Sequence, residues 1–234
     1  FGTPAVADVD ADGLPDVVAF DASGCLTMMD ATGTVQWTSP ITVCSSETYP
    51  QLVVADLYGD GSPEIITNQG IFDGSNGNRV VSFTRNFSIP YTAPAVGDID
   101  LDGEQEVIIA NQVFSPDGSV EWTASQQGSY GHWTAIINAD TDNYAEVAMV
   151  GAGRLVVYEH DGTVKLTSTA GGIGASPPCA ADFDGDGQTE VAWSSQGAFQ
   201  VFDLDGTRVW SPRRAFARSY GVPRLDAAPL RAIF

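Results

Sequence analysis

The feature that most constrains this chain is a nine-residue acidic motif that returns five times. It reads "DVDADGLPD" at 8–16, "DLYGDGSPE" at 56–64, "DIDLDGEQE" at 98–106, "NADTDNYAE" at 138–146 and "DFDGDGQTE" at 182–190. The closing acids Asp16, Glu64, Glu106, Glu146 and Glu190 follow one another at intervals of 48, 42, 40 and 44 residues. A period of this size marks stacked supersecondary units, because a single unit of such length cannot bury its faces alone.

Each motif is flanked by short apolar segments. "PAVA", "LVVA", "PAVG", "TAII" and "PCAA" precede it, and "VVAF", "IITN", "VIIA", "VAMV" and "VAWS" follow. A third unit comes downstream with a turn and often a tryptophan: "DATGTVQW", "SPDGSVEW", "EHDGTVKL" and "DLDGTRVW". Segments of this length, rich in Val and Ile and bounded by Gly, Asp and Asn, predict strands joined by tight turns. No helical period is sustained. About four short strands per repeat make one propeller blade. The expected fold is therefore all-β: a β-propeller of about five four-stranded blades over residues 1–212, either a closed five-bladed ring or part of a six- or seven-bladed one.

Read as D-x-D-x-D-G-x-x-[DE], the motif supplies side-chain oxygens from positions one, three, five and nine. These are Asp8, Asp10, Asp12 and Asp16; Asp56, Asp60 and Glu64; Asp98, Asp100, Asp102 and Glu106; Asn138, Asp140, Asp142 and Glu146; and Asp182, Asp184, Asp186 and Glu190. A backbone carbonyl near position seven, at Leu14, Ser62, Glu104, Tyr144 or Gln188, adds one more candidate donor. Hard oxygens in a flexible loop suit Ca²⁺, whereas Mg²⁺ demands tighter octahedral geometry. The lack of Cys or His at these positions argues against zinc. The first, third and fifth loops are expected to bind best. The second carries Tyr58 at position three and is expected to be weakest. The fourth begins with Asn138 and has Asn143 in place of glycine, a residue that tolerates the same left-handed backbone. An EF-hand fits poorly, since its last ligand falls at position twelve and helices flank its loop.

The 234 residues carry 30 acidic and 10 basic side chains, a net charge of −20. Eighteen of those acids occupy the motif positions, so up to five Ca²⁺ ions would halve the net charge. Such an acidic chain is a poor nucleic-acid binder. No apolar run approaches the roughly 18 residues that span a bilayer. Starting at Phe1 without a signal peptide, the sequence is expected to be a mature product or an excerpt of a longer one. Cys25, Cys44 and Cys179 show no metal-ligand spacing; free thiols, or one disulfide and a leftover thiol, are both open.

With these loops and the "FG-TPAVADVDADGLPDV" opening, matched by "YTAPAVGDIDLDGEQEV" and "SPPCAADFDGDGQTEV", the sequence resembles the FG-GAP (VCBS) repeat family, the calcium-binding propeller repeats of integrin α-subunits and many bacterial surface proteins. The resemblance covers about 210 residues. It implies a propeller whose calcium ions sit in hairpin loops and brace the blades, usually seven in number, outside the cell or on its surface. The tail departs from the pattern. "YGVPRLD" at 220–226 looks like the start of a sixth repeat without an acidic loop, and Arg213, Arg214, Arg218, Arg224 and Arg231 crowd residues 213–234. A degenerate closing strand is the first expectation there, ahead of a partner-binding tail.

Trp37, Trp122 and Trp210 recur at one place in the repeat and predict packing between blades. Trp133 and Trp193 fall outside that register, and Tyr130, His132 and Trp133 form the most site-like cluster. His132 and His160 are the only histidines, and no Ser-His-Asp set can be argued from them. "NFS" at 86–88 is a glycosylation acceptor only in a secreted eukaryotic context. The functional expectation is a non-enzymatic extracellular module for adhesion, structure or protein interaction, with a protein or glycan partner and possible self-association. A carbohydrate-binding lectin, or an accessory part of a polysaccharide-degrading enzyme, are the alternatives.

Overall fold

The computed structural model describes residues 2–42, 51–86, 92–125, 133–140, 142–151, 154–169, 176–195 and 198–210. Phe1, Cys44, Tyr130, His132 and the Arg-rich tail lie outside the described residues. Among these residues twenty strands form five separate four-stranded antiparallel sheets, one per repeat. Blade 1 holds β1 (Ala5–Ala7), β2 (Asp16–Phe20), β3 (Cys25–Met29) and β4 (Val35–Thr42). Blade 2 holds β5 (Leu52–Ala55), β6 (Glu64–Thr67), β7 (Gly70–Asp73) and β8 (Arg79–Ser82). Blade 3 is β9 (Ala95–Gly97), β10 (Glu106–Ile109), β11 (Gln112–Phe114) and β12 (Val120–Thr123). Blade 4 is β13 (Trp133–Ile137), β14 (Glu146–Gly151), β15 (Arg154–Tyr158) and β16 (Val164–Thr169). Blade 5 is β17 (Cys179–Ala181), β18 (Glu190–Ser195), β19 (Ala198–Phe202) and β20 (Arg208–Trp210). No helix of the described residues is long and apolar enough to cross a membrane.

Within every blade the strands pair in chain order, so each connection is a hairpin. The first strands line up from blade to blade: β1 beside β5, β5 beside β9, β9 beside β13 and β13 beside β17. Second strands are apolar on both faces, with Glu64–Thr67, Glu106–Ile109 and Glu146–Gly151 buried throughout. A strand buried on both faces needs a neighbour on each side, which stacked blades provide.

The core is accordingly a series of inter-blade seams. Val18, Leu26 and Met28 of blade 1 meet Leu52, Ile65 and Phe72 of blade 2. Ile66 and Ile71 meet Val107 and Phe114 across the next seam, where the Phe83 and Phe114 rings lie 4.6 Å apart. Ile108 and Val113 meet Met149 and Tyr158, and Val150 and Val157 meet Val191, Trp193 and Phe202. Among the described residues no such cluster joins blade 5 to blade 1, and the far face of blade 1 (Val17, Ala19, Thr27, Met29) is only half-buried.

One contact repeats at each seam. The turn between third and fourth strands carries a glycine with positive φ, and a fourth-strand side chain of the preceding blade covers it. A Cβ on Gly77 would lie 2.5 Å from the Trp37 ring, one on Gly118 2.5 Å from Val81, one on Gly162 2.8 Å from Trp122, and one on Gly206 3.1 Å from Leu166. The indoles also donate across the seam, Trp37 Nε1 to the Gly74 carbonyl at 2.9 Å and Trp122 Nε1 to the His160 carbonyl at 2.7 Å. The sequence expectation of inter-blade packing holds for these two tryptophans. Blade 1 is the exception on the receiving side: Gly33 is exposed, with nothing within 4 Å of its Cβ position.

The fourth strands share a second irregularity. In each, the register slips by one residue at the same point, leaving Gln36, Val80, Glu121, Lys165 and Val209 as the extra residue of a β-bulge. Bulges re-aim a side chain, and here they do so next to the acidic loops.

Candidate metal centres

All five motifs form the link from first to second strand, and they share one hydrogen-bond frame. The closing acid begins the second strand and is buried in every blade. Its carboxylate accepts the backbone N–H of the motif's second residue: Val9 to Asp16 and Leu57 to Glu64 at 2.9 Å, Ile99 to Glu106 at 2.7 Å, Ala139 to Glu146 at 2.5 Å and Phe183 to Glu190 at 2.6 Å. The fifth residue's carboxylate accepts the N–H of the seventh, from Leu14 to Asp12, Ser62 to Asp60, Glu104 to Asp102, Tyr144 to Asp142 and Gln188 to Asp186. Short Asp side chains bonding the backbone two residues on are what holds such a turn.

In four loops the first carboxylate accepts the N–H of the sixth-position glycine: Gly13 to Asp8, Gly61 to Asp56, Gly103 to Asp98 and Gly187 to Asp182. These glycines have positive φ, and so does position four, filled by Gly59 and Gly185 but also by Ala11 (59°) and Leu101 (62°). A left-handed backbone costs an L-residue about 1–2 kcal/mol. Asn143 does not adopt it, since the non-glycine residues with positive φ among those described are Ala11, Leu101 and Ala110. The fourth loop therefore departs from the shared turn.

The frame brings carboxylates together. One oxygen from each of Asp8, Asp10 and Asp16 lies within 4.8 Å of the others; the same holds for Asp98, Asp100 and Glu106, and for Asp182, Asp184, Asp186 and Glu190. Asp12 and Asp102 lie outside their loops' convergent sets and instead hold the turn. Leu14, Ser62, Glu104, Tyr144 and Gln188 at position seven are held by their N–H bonds to the fifth-position carboxylates. The second loop forms no three-acid cluster among the described residues. Tyr58 stands at position three in place of an acid and donates its hydroxyl to the Pro116 carbonyl of the next blade at 3.4 Å.

The fourth loop gathers Asp140, Asp142 and Glu146 with Glu159, a residue of the following turn that the motif does not contain. Into this cluster comes the Lys165 ammonium. It pairs with Asp140, with Glu159 at 2.8 Å and with Glu146 at 3.4 Å. Burial opposes its charge, but the hydrogen bonds to Asp140 and Glu159 and the negative charge of Glu146 and Glu159 outweigh it and hold its pKa above the usual lysine value.

Among the described residues no such cation enters the first, third or fifth loop, and each contains a buried carboxylate oxygen that accepts no hydrogen bond: Asp8 Oδ1, Asp98 Oδ1 and Glu190 Oε1. Burying an uncompensated carboxylate costs several kcal/mol in real proteins. The Glu106 carboxyl is pushed up to about 7, first by burial, then by the charges of Glu121, Asp100 and Asp102, against the Ile99 N–H that favours its ionised form. Burial foremost also raises Glu190. An all-oxygen, multiply charged pocket with unpartnered acceptors fits a hard divalent cation. The second, third and fourth loops are also joined in series: Gln105 Nε2 donates to the Asp56 carbonyl at 3.2 Å, and the Ala145 N–H donates to the Ile99 carbonyl at 3.0 Å.

Other candidate residues are placed as follows. Trp133 stands half-buried on β13, Trp193 is buried and stacks on Phe202 with centroids 5.0 Å apart, and Cys179 carries an exposed free thiol. The Asn86 N–H donates to Gln112 Oε1, while Phe87 and Ser88 of the acceptor triplet lie outside the described residues.

A family model described as FG-GAP-like repeat matches residues 8–67 and 138–193, which take in the first, second, fourth and fifth loops. No curated protein sequence matches the chain significantly. Among solved structures, the V. cholerae biofilm matrix protein Bap1 aligns with a TM-score of 0.62 at 17% identity, covering 88% of this chain and 47% of that one. BamB from Moraxella catarrhalis aligns at 0.56 and 19%, over 90% of this chain and 63% of that one. The exotype rhamnogalacturonan lyase YesX aligns at 0.57 and 15%, over 89% and 56%. At these identities the likeness is one of fold, and the chain spans roughly half to two thirds of each neighbour's length. Residues 8–67 and 138–193 thus carry FG-GAP-like repeats, within a β-propeller fold of five four-stranded blades built on one acidic loop frame.

Proposed function

We propose that this protein is a non-enzymatic, extracellular propeller module for adhesion, structure or protein interaction, and that calcium ions in its acidic loops brace the blades. The observation that carries the metal reading is the unpartnered, buried carboxylate oxygen in the first, third and fifth loops. In those loops Asp8, Asp10 and Asp16, Asp98, Asp100 and Glu106, and Asp182, Asp184, Asp186 and Glu190 would hold the ion. The ion supplies positive charge that offsets carboxylate repulsion; the chain supplies the left-handed turns and N–H donors that fix the acids in place. Because each loop fastens a first strand to a second, and the third loop is hydrogen-bonded to the second and the fourth, an ion in the third loop stiffens the seams on both sides of it.

The non-enzymatic reading is supported by the chemistry of the acids. The convergent carboxylates of the described loops are tied into turns by backbone donors, a structural engagement unlike the free acid/base pair of a glycosidase. The extracellular reading draws on the acidic surface and on the fold shared with a biofilm matrix protein. Ligand binding to the native state alone raises stability. Chelator should therefore lower the melting temperature by roughly 10 °C or more when several sites empty. An unchanged melt in excess chelator would sink the calcium reading.

A further inference from the structure

The five bulge residues differ in charge although they share one place in the fold. Gln36 Nε2 donates to Asp30 at 2.7 Å, in the turn beside the first loop. Glu121 accepts the Ser115 hydroxyl at 2.7 Å and faces the third loop, where its charge adds to those of Asp100, Asp102 and Glu104. Lys165 enters the fourth loop, its side chain 19% exposed, and reaches three of the four clustered acids, one of them the fully buried Glu146. The same loop has lost the other marks of its relatives: Asn138 replaces the first carboxylate, and Asn143 replaces the left-handed glycine. It also has no buried carboxylate oxygen without a partner, because the Glu146 oxygens accept from Ala139 N–H and Lys165.

We propose that Lys165 is a tethered cation that takes the place of a metal ion in the fourth loop, so that blade 4 is braced without calcium. The ammonium does for Glu146 what an ion would do for Glu190. It is covalently attached, pays no binding entropy at low calcium, and cannot be removed by a chelator. The bulge is what makes this possible, since it turns the residue between Val164 and Leu166 away from the strand's regular alternation and toward the loop. The proposal rests on the calcium reading of the other loops.

Two variants test it. Lys165→Met keeps the apolar stem and removes the charge, leaving Asp140, Asp142, Glu146 and Glu159 as a four-acid cluster. Calcium titration by calorimetry should count one more ion per chain than in the unaltered protein, and the variant's melting temperature should depend more steeply on calcium. Glu121→Lys carries the ammonium to the equivalent bulge of blade 3, and should count one ion fewer while resisting chelator better. A folded Lys165→Met protein that binds the same non-zero number of ions as the unaltered chain overturns the inference and leaves the calcium reading standing. If Lys165→Met folds only in calcium, that supports the substitution of ion for lysine. Failure of the unaltered protein to bind any calcium overturns the calcium reading instead, and in that case Lys165→Met binding one ion still supports the role of the lysine.

Discussion

Asp98 and Asp56 hold the same place in neighbouring loops, and both accept a glycine N–H. Only Asp98 sits in a convergent set and keeps a buried oxygen without a partner. Asp98→Ala should therefore abolish one ion site, whereas Asp56→Ala removes a turn bond. Losing a site that is saturated about a hundredfold over its dissociation constant costs about 2.7 kcal/mol, or ~5–10 °C for a domain of this size. In calcium-containing buffer the melting temperature should fall by that much for Asp98→Ala and by a few degrees for Asp56→Ala; equal shifts would contradict the ranking of the loops. The lack of a three-acid cluster in the second loop was legible in the sequence, because Tyr58 breaks the acidic alternation and is visible at a glance. The fourth loop was not. Asn143 looked able to replace glycine, and nothing in the motif pointed to Glu159 or Lys165, which reach the loop from 13 and 19 residues beyond its closing acid.

Strands and turns were readable because β-branched runs and Asp-Gly pairs mark them directly, and each predicted segment became a strand. The bulges were hidden. Gln36, Val80, Glu121, Lys165 and Val209 share no residue type, and only the pairing register exposes their common place. The glycine contacts were half visible: a recurrent tryptophan was plain, but not that the next blade's turn receives it. Gly33 and Gly77 separate the two reasons for a turn glycine. Both have positive φ, 83° and 71°, but only Gly77 lies under a ring. Gly33→Ala should cost about 1–2 kcal/mol for the backbone alone. Gly77→Ala should cost about 1–3 kcal/mol more, since the Trp37 ring must move. Chemical denaturation of the two variants gives the difference; equal costs would mean that the seam yields freely.

For the whole molecule, charge is the main liability once ions are withdrawn. The net charge is −20, and the five closing acids are buried. Glu106, at about 7, has a folded pKa above its ordinary value of 4.5. Its contribution to stability is thus full below 4.5 and is lost as pH rises through about 7. Calcium-depleted protein should melt higher at pH 5.5 than at pH 7.5. Calcium-loaded protein should not gain in the same way, because protons then compete with the ion. A calcium-depleted melt that falls steadily on acidification would remove Glu106 as a source of apo-state strain. The seams add a direction to this picture. In every one of the four, the covering side chain (Trp37, Val81, Trp122, Leu166) precedes the glycine it covers by about forty residues. During synthesis from the N-terminus, each turn thus leaves the ribosome after its roof has already been made. Gly33 of blade 1 forms the same left-handed turn with nothing within 4 Å of its Cβ position, so the turn itself does not depend on a roof.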